Sequence, residues 1–399
     1  MLDALSLQLR VGVDVGSRFH TVAIGLSDGS LLEEFEISHT AEGFREFFTR
    51  IEACDRCHAV PIAVAMEGYN GHVRPLDSLV RARGWQLFNV NNLKLARFKE
   101  IFPGAAKNDR IDSRKTLELF QLRDHLPMAG EVLQEVMAAP EENDVLKRLS
   151  RRRRRLVNER GRVANALQAD LQAVCPGLLD ITRDASNFWF LNFLTCRKGL
   201  IKLARVRRTS LLIVPGIGAT YAEAIEAWQS RAYFAPDANL VGDMIQQDAA
   251  RILALKQQIK ALDQQMAHVA GTSSLAGQFA SIPGYGAVCA AELAGEIGTV
   301  KRFRNEASLA LYLGMATLDN KSGKVRRSKP PRHVNVRAKA AMMIAVDHHR
   351  KLVPQSQTYY EKKRAEGKTH NQAIRALGRH LCRVIYKMLT QNRTYRINS

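Results

Sequence analysis

Within the first ninety residues, short segments of alternating or continuous apolar positions are broken by two of helical period. RVGVDVG, TVAIGLS and SLLEEFEIS, within residues 10–38, read as three short strands, with a brief turn at Ser17–His20 and Asp28-Gly29 opening the third. An amphipathic helix is expected from about Ala41 to Ala53. PIAVAM reads as a buried strand ending at Glu67, a helix from about Val73 to Arg83 follows, Gly84 closes it, and WQLFNV gives one more strand.

From Glu141 to about Val174 the period lengthens to that of a helix. Leu149, Leu156 and Val163 recur every seven residues, Leu167, Leu171 and Val174 continue the stripe, and Cys175-Pro176-Gly177 stops it. A second stripe, Ile252, Leu255, Ile259, Leu262, Met266 and Val269, alternates spacings of three and four. This is an a/d seam that can close within the chain or between chains. Between the two helices, about 180–245 is less regular and rich in aromatics near Phe188–Phe193. LLIVPGIGATYAEAI and ASIPGYGAVCAAEL form a weak repeat, apolar-Pro-Gly-apolar-Gly before a helix, as in helix-hairpin-helix motifs. There the glycine turn lets backbone N–H groups reach a phosphate; as structure alone it is a tight turn between helices. The last fifty residues read as a basic helical tail. The expected organisation is α/β plus all-α, in three parts: 1–125, a catalytic α/β domain; 126–274, long coiled-coil helices with the inserted segment; and 275–399, a helical domain with the basic tail.

Composition narrows the partners. Of 399 residues, 46% are hydrophobic and 25% charged, ordinary for a globular protein, but the net charge is +20. Such self-repulsion calls for a polyanion. A membrane surface competes with nucleic acid for that role, but the basic residues are spread over the whole chain, which favours nucleic acid. No stretch approaches the roughly 18–20 apolar residues of a membrane span, and MLDALSLQLR has no signal-peptide layout. The six cysteines form no disulfide framework, so a reducing cytoplasm is expected. CDRCH (Cys54, Cys57, His58) has haem-attachment spacing but no export signal, and no second pair to complete a zinc site; loop cysteines without a shared role are expected.

Three clusters could carry chemistry. A three-strand meander followed by alternating helices and strands is the order of a ribonuclease-H-like domain, and its carboxylates fall at telling places. Asp14 interrupts a Val-x-Val alternation, Glu67 ends the next apolar strand, and Asp109 and Asp112 lie three apart on one helix face. Burying such acids is costly without a cation, and oxygen donors of this kind suit hard divalent ions and phosphodiester chemistry. Lys107, Arg110 and Arg114 beside them suit a phosphate; Asp109 could equally cap helix 110–123. The run Arg151, Arg152, Arg153, Arg154 and Arg155 is read as phosphate-contacting. Ser322 precedes Gly323 in a loop flanked by Lys321, Lys324, Arg326, Arg327 and Lys329, with Arg337 beyond. A turn explains Ser-Gly, and so does a serine nucleophile beside phosphate-binding cations; no base adjoins it, the nearest candidates being His333 and, through folding, the metal site itself.

The motifs VGVDVGSRFHTVAI, MEGYNGHVRPLDSLVRARGWQLFNVNN and AAKNDRIDSRKTLELF resemble the amino-terminal DEDD domain of insertion-sequence 110 transposases and the related Piv-type invertases. SIPGYGAVCAAELAGEIGTVKRFRNEASLALYLGMA with the following SGK resembles their carboxy-terminal domain. The resemblance covers about 10–125 and 275–390. It implies a RuvC-like fold whose tetrad Asp14, Glu67, Asp109 and Asp112 binds Mg²⁺, and a nucleophilic Ser322 that forms a transient phosphoserine link to DNA. It further implies a structured guide RNA (bridge RNA) pairing with donor and target DNA, and one composite site built by both domains across subunits; the a/d seam favours a dimer or a dimer of dimers (tetramer). The sequence departs from the family pattern at Ser113, usually Ala, and at PPRHVNVR, where Arg332 and His333 replace Gly-Asn. A Mg²⁺-dependent nuclease or junction resolvase, a Piv-type invertase, and a non-catalytic nucleic-acid-binding protein are the alternatives.

Overall fold

The computed structural model describes residues 7–66, 74–90, 95–96, 98, 100, 109–124, 132–322, 325–329, 331 and 334–396. The chain divides into two units, Met1–Ala138 and Ala139–Ser399.

In the first unit the alternating segments build one sheet from β1 (Leu9–Val15), β2 (Phe19–Leu26), β3 (Leu31–Ser38), β4 (Ile62–Met66), β5 (Gln86–Val90) and β6 (Leu133–Glu135), in the order β3-β2-β1-β4-β5-β6. The first three are an antiparallel meander; β4 runs parallel to β1, β5 parallel to β4, and β6 antiparallel to β5. Period two sorts the side chains to two faces. Val11, Val13, Val64 and Met66 pack with Phe47 and Ile51 of helix α1 (Ala41–His58) and with Leu76 and Val80 of α2 (Arg74–Ala82). Ala63, Ala65 and Phe88, on the other face, pack with Leu119 and Phe120 of α3 (Asp109–Gln121).

Two expectations change here. Helix α1 does not stop near Ala53 but continues to His58, so CDRCH occupies its last turns and not a loop. The Cys54 thiol donates to Glu33 at 3.9 Å, and burial, then the Glu33 charge, pushes its pKa up. Helix α3 begins at Asp109 itself, so that residue is the first of the helix and not its cap.

Among its described residues the second unit is helical apart from one hairpin. Its long pair is α4 (Glu141–Val174) and, further along the chain, Ala238–Ala270. Leu156 packs with Leu255 and Ile259, Leu146 with Met266, and Leu167 and Leu171 share a core with Ile252, an antiparallel arrangement. The seam closes within the chain. Between the pair lie α5 (Phe188–Thr195), a 3₁₀ turn (Leu200–Arg205), α6 (Arg208–Leu211) and α7 (Ala219–Gln229). Their Phe190, Phe193, Ala222, Ile225 and Trp228 form a core with Leu171 of α4 and Ile245 of α8, the helix Ala238–Ala270. The irregular segment is thus a small helical module seated on the ends of the long helices.

Then follow α9 (Ser274–Ala280), α10 (Ala287–Ile297), α11 (Glu306–Tyr312), strands β7 (Leu318–Ser322) and β8 (Val325–Lys329), α12 (Val336–Leu352), α13 (Pro354–Ala365) and α14 (His370–Thr390). Phe279, Leu293, Leu309, Met342, Val346 and Ile385 are central to their core. Gly295 brings α10 against α4 at backbone distance; a Cβ there would meet the Lys147 nitrogen at 2.4 Å. Among the described residues no helix is long and apolar enough to cross a membrane.

Candidate active site

In the first unit the site is organised by how α3 lies on β1. Arg10, Gly12 and Asp14 share the face of β1 that α3 covers. Arg10 is buried, and its Nη1 donates to the carbonyls of Phe120 at 2.6 Å and Gln121 at 3.2 Å, placing a cation at the negative end of the helix. Gln121 Nε2 fixes the same end by donating to the carbonyls of Leu26 and Ser30. Two residues along, a Cβ on Gly12 would meet the Leu117 nitrogen at 2.7 Å and the Ser113 oxygen at 2.8 Å, so helix backbone rests directly on strand backbone. From Arg10 to Gly12 the contact moves from the end of α3 back to residues 113–117; the helix therefore runs antiparallel to β1. The next step on that face is Asp14, which is half-buried, in the direction of the helix's first turn with Asp109, Arg110 and Asp112.

The neighbouring strand β4 is in register with β1, Val13 opposite Met66. Glu67, next in the chain, lies outside the described residues, as do Lys107 and the Asp109 side chain. Asp112 is half-buried, and its carbonyl accepts from Thr116 Oγ1 at 3.0 Å. Ser113 is buried and its hydroxyl donates to the Arg110 carbonyl at 2.9 Å, so the extra oxygen is satisfied locally. Arg114 pairs with Glu34 at 3.2 Å, and Arg110 is exposed. Among the described residues no three His, Cys, Asp or Glu side chains gather as a metal site. The two described tetrad members are half-buried carboxylates, which as oxygen donors fit a hard divalent cation.

In the second unit Ser322 ends β7, opposite Val325 at the start of β8; it belongs to a hairpin strand and not to an open loop. Lys321 is opposite Arg326, Arg327 opposite Asn320 and Lys329 opposite Leu318, all within the hairpin. Lys324 and His333 lie outside the described residues. Arg337 is exposed in the first turn of α12, where its N–H donates to the Asn335 side chain.

The arginine run divides in two. Arg151 forms a two-pronged pair with Glu296 at 2.6 and 2.9 Å, Arg154 pairs with Glu292 at 2.7 Å, and Arg153 with Asp263 at 2.5 Å. Arg152 and Arg155 are exposed. The run thus joins α4 to α8 and α10 through three of its members and leaves two exposed. Sequence reasoning missed the acids that divide it. Glu296 also accepts from Asn335 Nδ2 at 2.6 Å, and Asn335 caps α12 just beyond the hairpin. Burial pushes the Glu296 carboxyl up, but Arg151 and Asn335 outweigh it and hold it below its ordinary value. Glu292 goes the other way: burial raises it despite Arg154, and its Oε1 has no hydrogen-bond partner among the described residues. The available signal was an acidic pair, Glu292 and Glu296, at i,i+4 on an otherwise apolar helix.

Two family models match in chain order. Residues 11–176 match the DEDD domain of IS110-type transposases, described as a transposase, and residues 276–361 match the transposase IS116/IS110/IS902 family. The chain belongs to the IS110/IS116 transposase family. It is 25% identical over 393 residues to the IS116 insertion-element 44.8 kDa protein of Streptomyces clavuligerus, covering 96% of this chain and 95% of that one. It is also 25% identical over 404 residues to the IS110 insertion-element 43.6 kDa protein of Streptomyces coelicolor, covering 99% and 97%. Over 176 residues it is 30% identical to the IS900 insertion-element 42 kDa protein of Mycobacterium paratuberculosis, covering 44% of each. This IS110/IS116 transposase is therefore a DNA-processing enzyme of strand transfer, and its DEDD domain implies dependence on a divalent metal in general.

Proposed function

We propose that this transposase is an RNA-guided DNA recombinase that uses Ser322 as its nucleophile and Asp14, Glu67, Asp109 and Asp112 to hold Mg²⁺. The observation that supports the metal-site part of this reading is the bare strand backbone at Gly12, which lets α3 approach and directs Asp14 toward the turn bearing Asp109 and Asp112; the Ser322 and guide-RNA parts rest on the family resemblance. The meander followed by parallel strands, with a helix laid on β1, supports a RuvC-like fold. The end of β4 beside Val13 supports Glu67 as the ligand from the neighbouring strand. When bound, a hard cation at such carboxylates stabilises charge on the reacting phosphate. The chain's own chemistry is a balanced exchange. The Ser322 oxygen forms a bond to phosphorus and loses its proton; the bond to the departing strand breaks and that oxygen takes up a proton. Attack by another strand's hydroxyl then reverses the link. Arg110 and the hairpin cations Lys321, Lys324, Arg326, Arg327 and Lys329 neutralise the backbone phosphates, with Arg152, Arg155 and Arg337 as further contacts.

A labelled DNA substrate tests this. The expected result is a covalent protein–DNA adduct that Ser322→Ala abolishes, and no cleavage in Asp14→Asn. A Ser322→Ala protein that still joins strands at the normal rate leaves a tetrad-only nuclease or resolvase. The guide RNA is tested separately by sequencing RNA that co-purifies with the protein; a discrete structured species supports it, and random fragments remove it. A dimer or tetramer is proposed from the resemblance alone, because the long-helix seam is satisfied within the chain.

A further inference from the structure

The helical module between α4 and α8 contains a second copy of the turn found before α10, and it reproduces three of that turn's backbone hydrogen bonds. In the module, N–H to carbonyl bonds run from Val214 to Leu211, Ile217 to Val214 and Ala222 to Gly218, at 3.0, 3.1 and 3.0 Å. Sixty-eight positions later in the sequence the equivalents are Ile282 to Phe279, Tyr285 to Ile282 and Ala290 to Gly286, at 3.1, 3.0 and 2.9 Å. Gly216 and Gly284 hold the same left-handed conformation, φ +88° and +85°. Gly218 and Gly286 cap the following helices without a side chain to occupy the first-turn N–H groups. The weak sequence repeat is thus a repeated backbone.

A repeated turn is not by itself a binding site. The charge around this copy supplies the second observation. Between Asp184 and Glu223 the chain has no acidic residue, and its basic residues are Arg197, Lys198, Lys202, Arg205, Arg207 and Arg208. Arg208 is used internally, pairing with Glu223 and Glu226 across the turn. The other five are exposed and have no carboxylate partner among the described residues. They are also mounted on fixed backbone. Gln246 of α8 accepts from the Gly199 N–H and donates to the carbonyls of Leu194 and Arg197, and Gln229 of α7 donates to those of Leu203 and Val206. Arg197 lines one surface concavity of about 420 Å³ together with Ser210, Val214 and Pro215, so the cation and the turn face the same space. Five unpaired cations on a braced scaffold cost self-repulsion in a chain already at +20. A surface that is only solvated needs neither the bracing nor the exclusion of acids.

We infer that this module is a separate, sequence-independent grip on the backbone of duplex DNA. Lys202, Arg205, Arg207, Arg197 and Lys198 contact successive phosphates, and the Pro215–Gly218 turn approaches one at backbone distance. The inference rests on the chain acting on DNA, which its family gives, and not on the serine chemistry.

The test measures affinity of the full-length protein for a short duplex of arbitrary sequence as salt is raised. Neutralising Lys202, Arg205 and Arg207 together to Gln is expected to reduce the slope of log K against log salt by about 2.7, at about 0.9 for each phosphate no longer neutralised. These side chains are exposed, so the melting temperature is expected to match wild type. An unchanged slope overturns the inference. Gly218→Asp examines the turn: the position has open space for a Cβ and Asp is a favoured helix cap, so the fold is kept while a carboxylate meets the phosphate. The expected result is binding at least about tenfold weaker, the equivalent of 1.4 kcal/mol; equal affinity removes the turn from the site. Single-stranded DNA and an RNA hairpin are run in parallel. A deficit seen with RNA and absent with duplex DNA overturns the assignment to DNA. None of these readings requires cleavage, so a protein that fails the Ser322 adduct test can still show the slope change.

Discussion

At the scale of single residues, the candidate tetrad depends on side chains that are not part of it. Gly12 is required because α3 uses the space a Cβ would fill, and a methyl there collides with backbone at 2.7 and 2.8 Å, which cannot rotate away. Gly12→Ala is expected to cost about 1–3 kcal/mol as overpacking and to shift α3 relative to Asp14. Strand-transfer rate should therefore fall far more than thermal stability. Retained rate at a lowered melting temperature would count against the role given to this contact. Arg10 acts on the other end of the same helix. Arg10→Met keeps the buried stem but removes a charged donor from the Phe120 and Gln121 carbonyls, a loss of about 1.5–3 kcal/mol that chemical denaturation would measure. Here the catalytic rate of the folded fraction should stay closer to wild type, because the end of α3 being loosened is the one remote from Asp109 and Asp112.

At the scale of elements, the long helices α4 and α8 are held by a dry seam and by ion pairs beside it. Leu255 is fully buried against Leu156 and Ile259. Leu255→Ala should destabilise the second unit by about 2–5 kcal/mol without changing the association state seen in sedimentation, since the seam closes inside the chain. A change in association would show that the seam also serves another copy. Elements were legible in the sequence where their period was long and unbroken. The meander and α4 follow from alternation and heptad spacing within a few residues, and so does the end of α8; its first turns, from Ala238, fall where the sequence reads as irregular. The strand β6 was not legible, because three residues, LQE, carry no period. Nor was the seating of α3 on β1: Gly12 reads as a weak point in a strand until the helix above it is known. The arginine run shows the same limit from the other side. Its density suggested an outside anion, but Glu292, Glu296 and Asp263 are over a hundred residues away, and only packing brings them to Arg154, Arg151 and Arg153. The hairpin around Ser322 was obscured by its own charge, since KSGKVRRSK has the composition of a solvated loop although its backbone pairs as two strands.

At the scale of the whole molecule, +20 of net charge and a small set of buried or paired titratable groups set the response to acid. His349 is buried where α12 meets the Pro283 turn. Its Nδ1 lies 2.7 Å from the Pro283 carbonyl, which can only accept, so Nδ1 carries the proton and Nε2, without a partner among the described residues, is left unprotonated. Burial holds its pKa below the ordinary 6.5, the bond to Pro283 opposing. The fold therefore prefers neutral His349, and its contribution is complete above about pH 6.5 and lost as pH falls toward the lowered value. The carboxyls act later. Glu306 is held below its ordinary value of 4.5 by Arg379; Glu296 and Asp347 are held down by their cations against the opposing effect of burial. Their contributions are present at neutral pH and are lost only as pH falls below about 4.5 and through the lowered values. Acid also adds positive charge to a chain already in excess, so the two losses act in the same direction. Melting temperature should thus decline in two stages, first below pH 6.5 and again below 4.5. His349→Asn, which keeps a donor for the Pro283 carbonyl and cannot titrate, is expected to melt lower throughout and to decline less across the first stage, the remainder coming from His380, which burial and its neighbouring cations also hold below 6.5. A variant curve that parallels wild type between pH 6.5 and 5 would move the first stage to another group. Where duplex DNA binds the folded protein in preference to the unfolded chain, it should raise the whole curve and, by neutralising charge, narrow the acid decline.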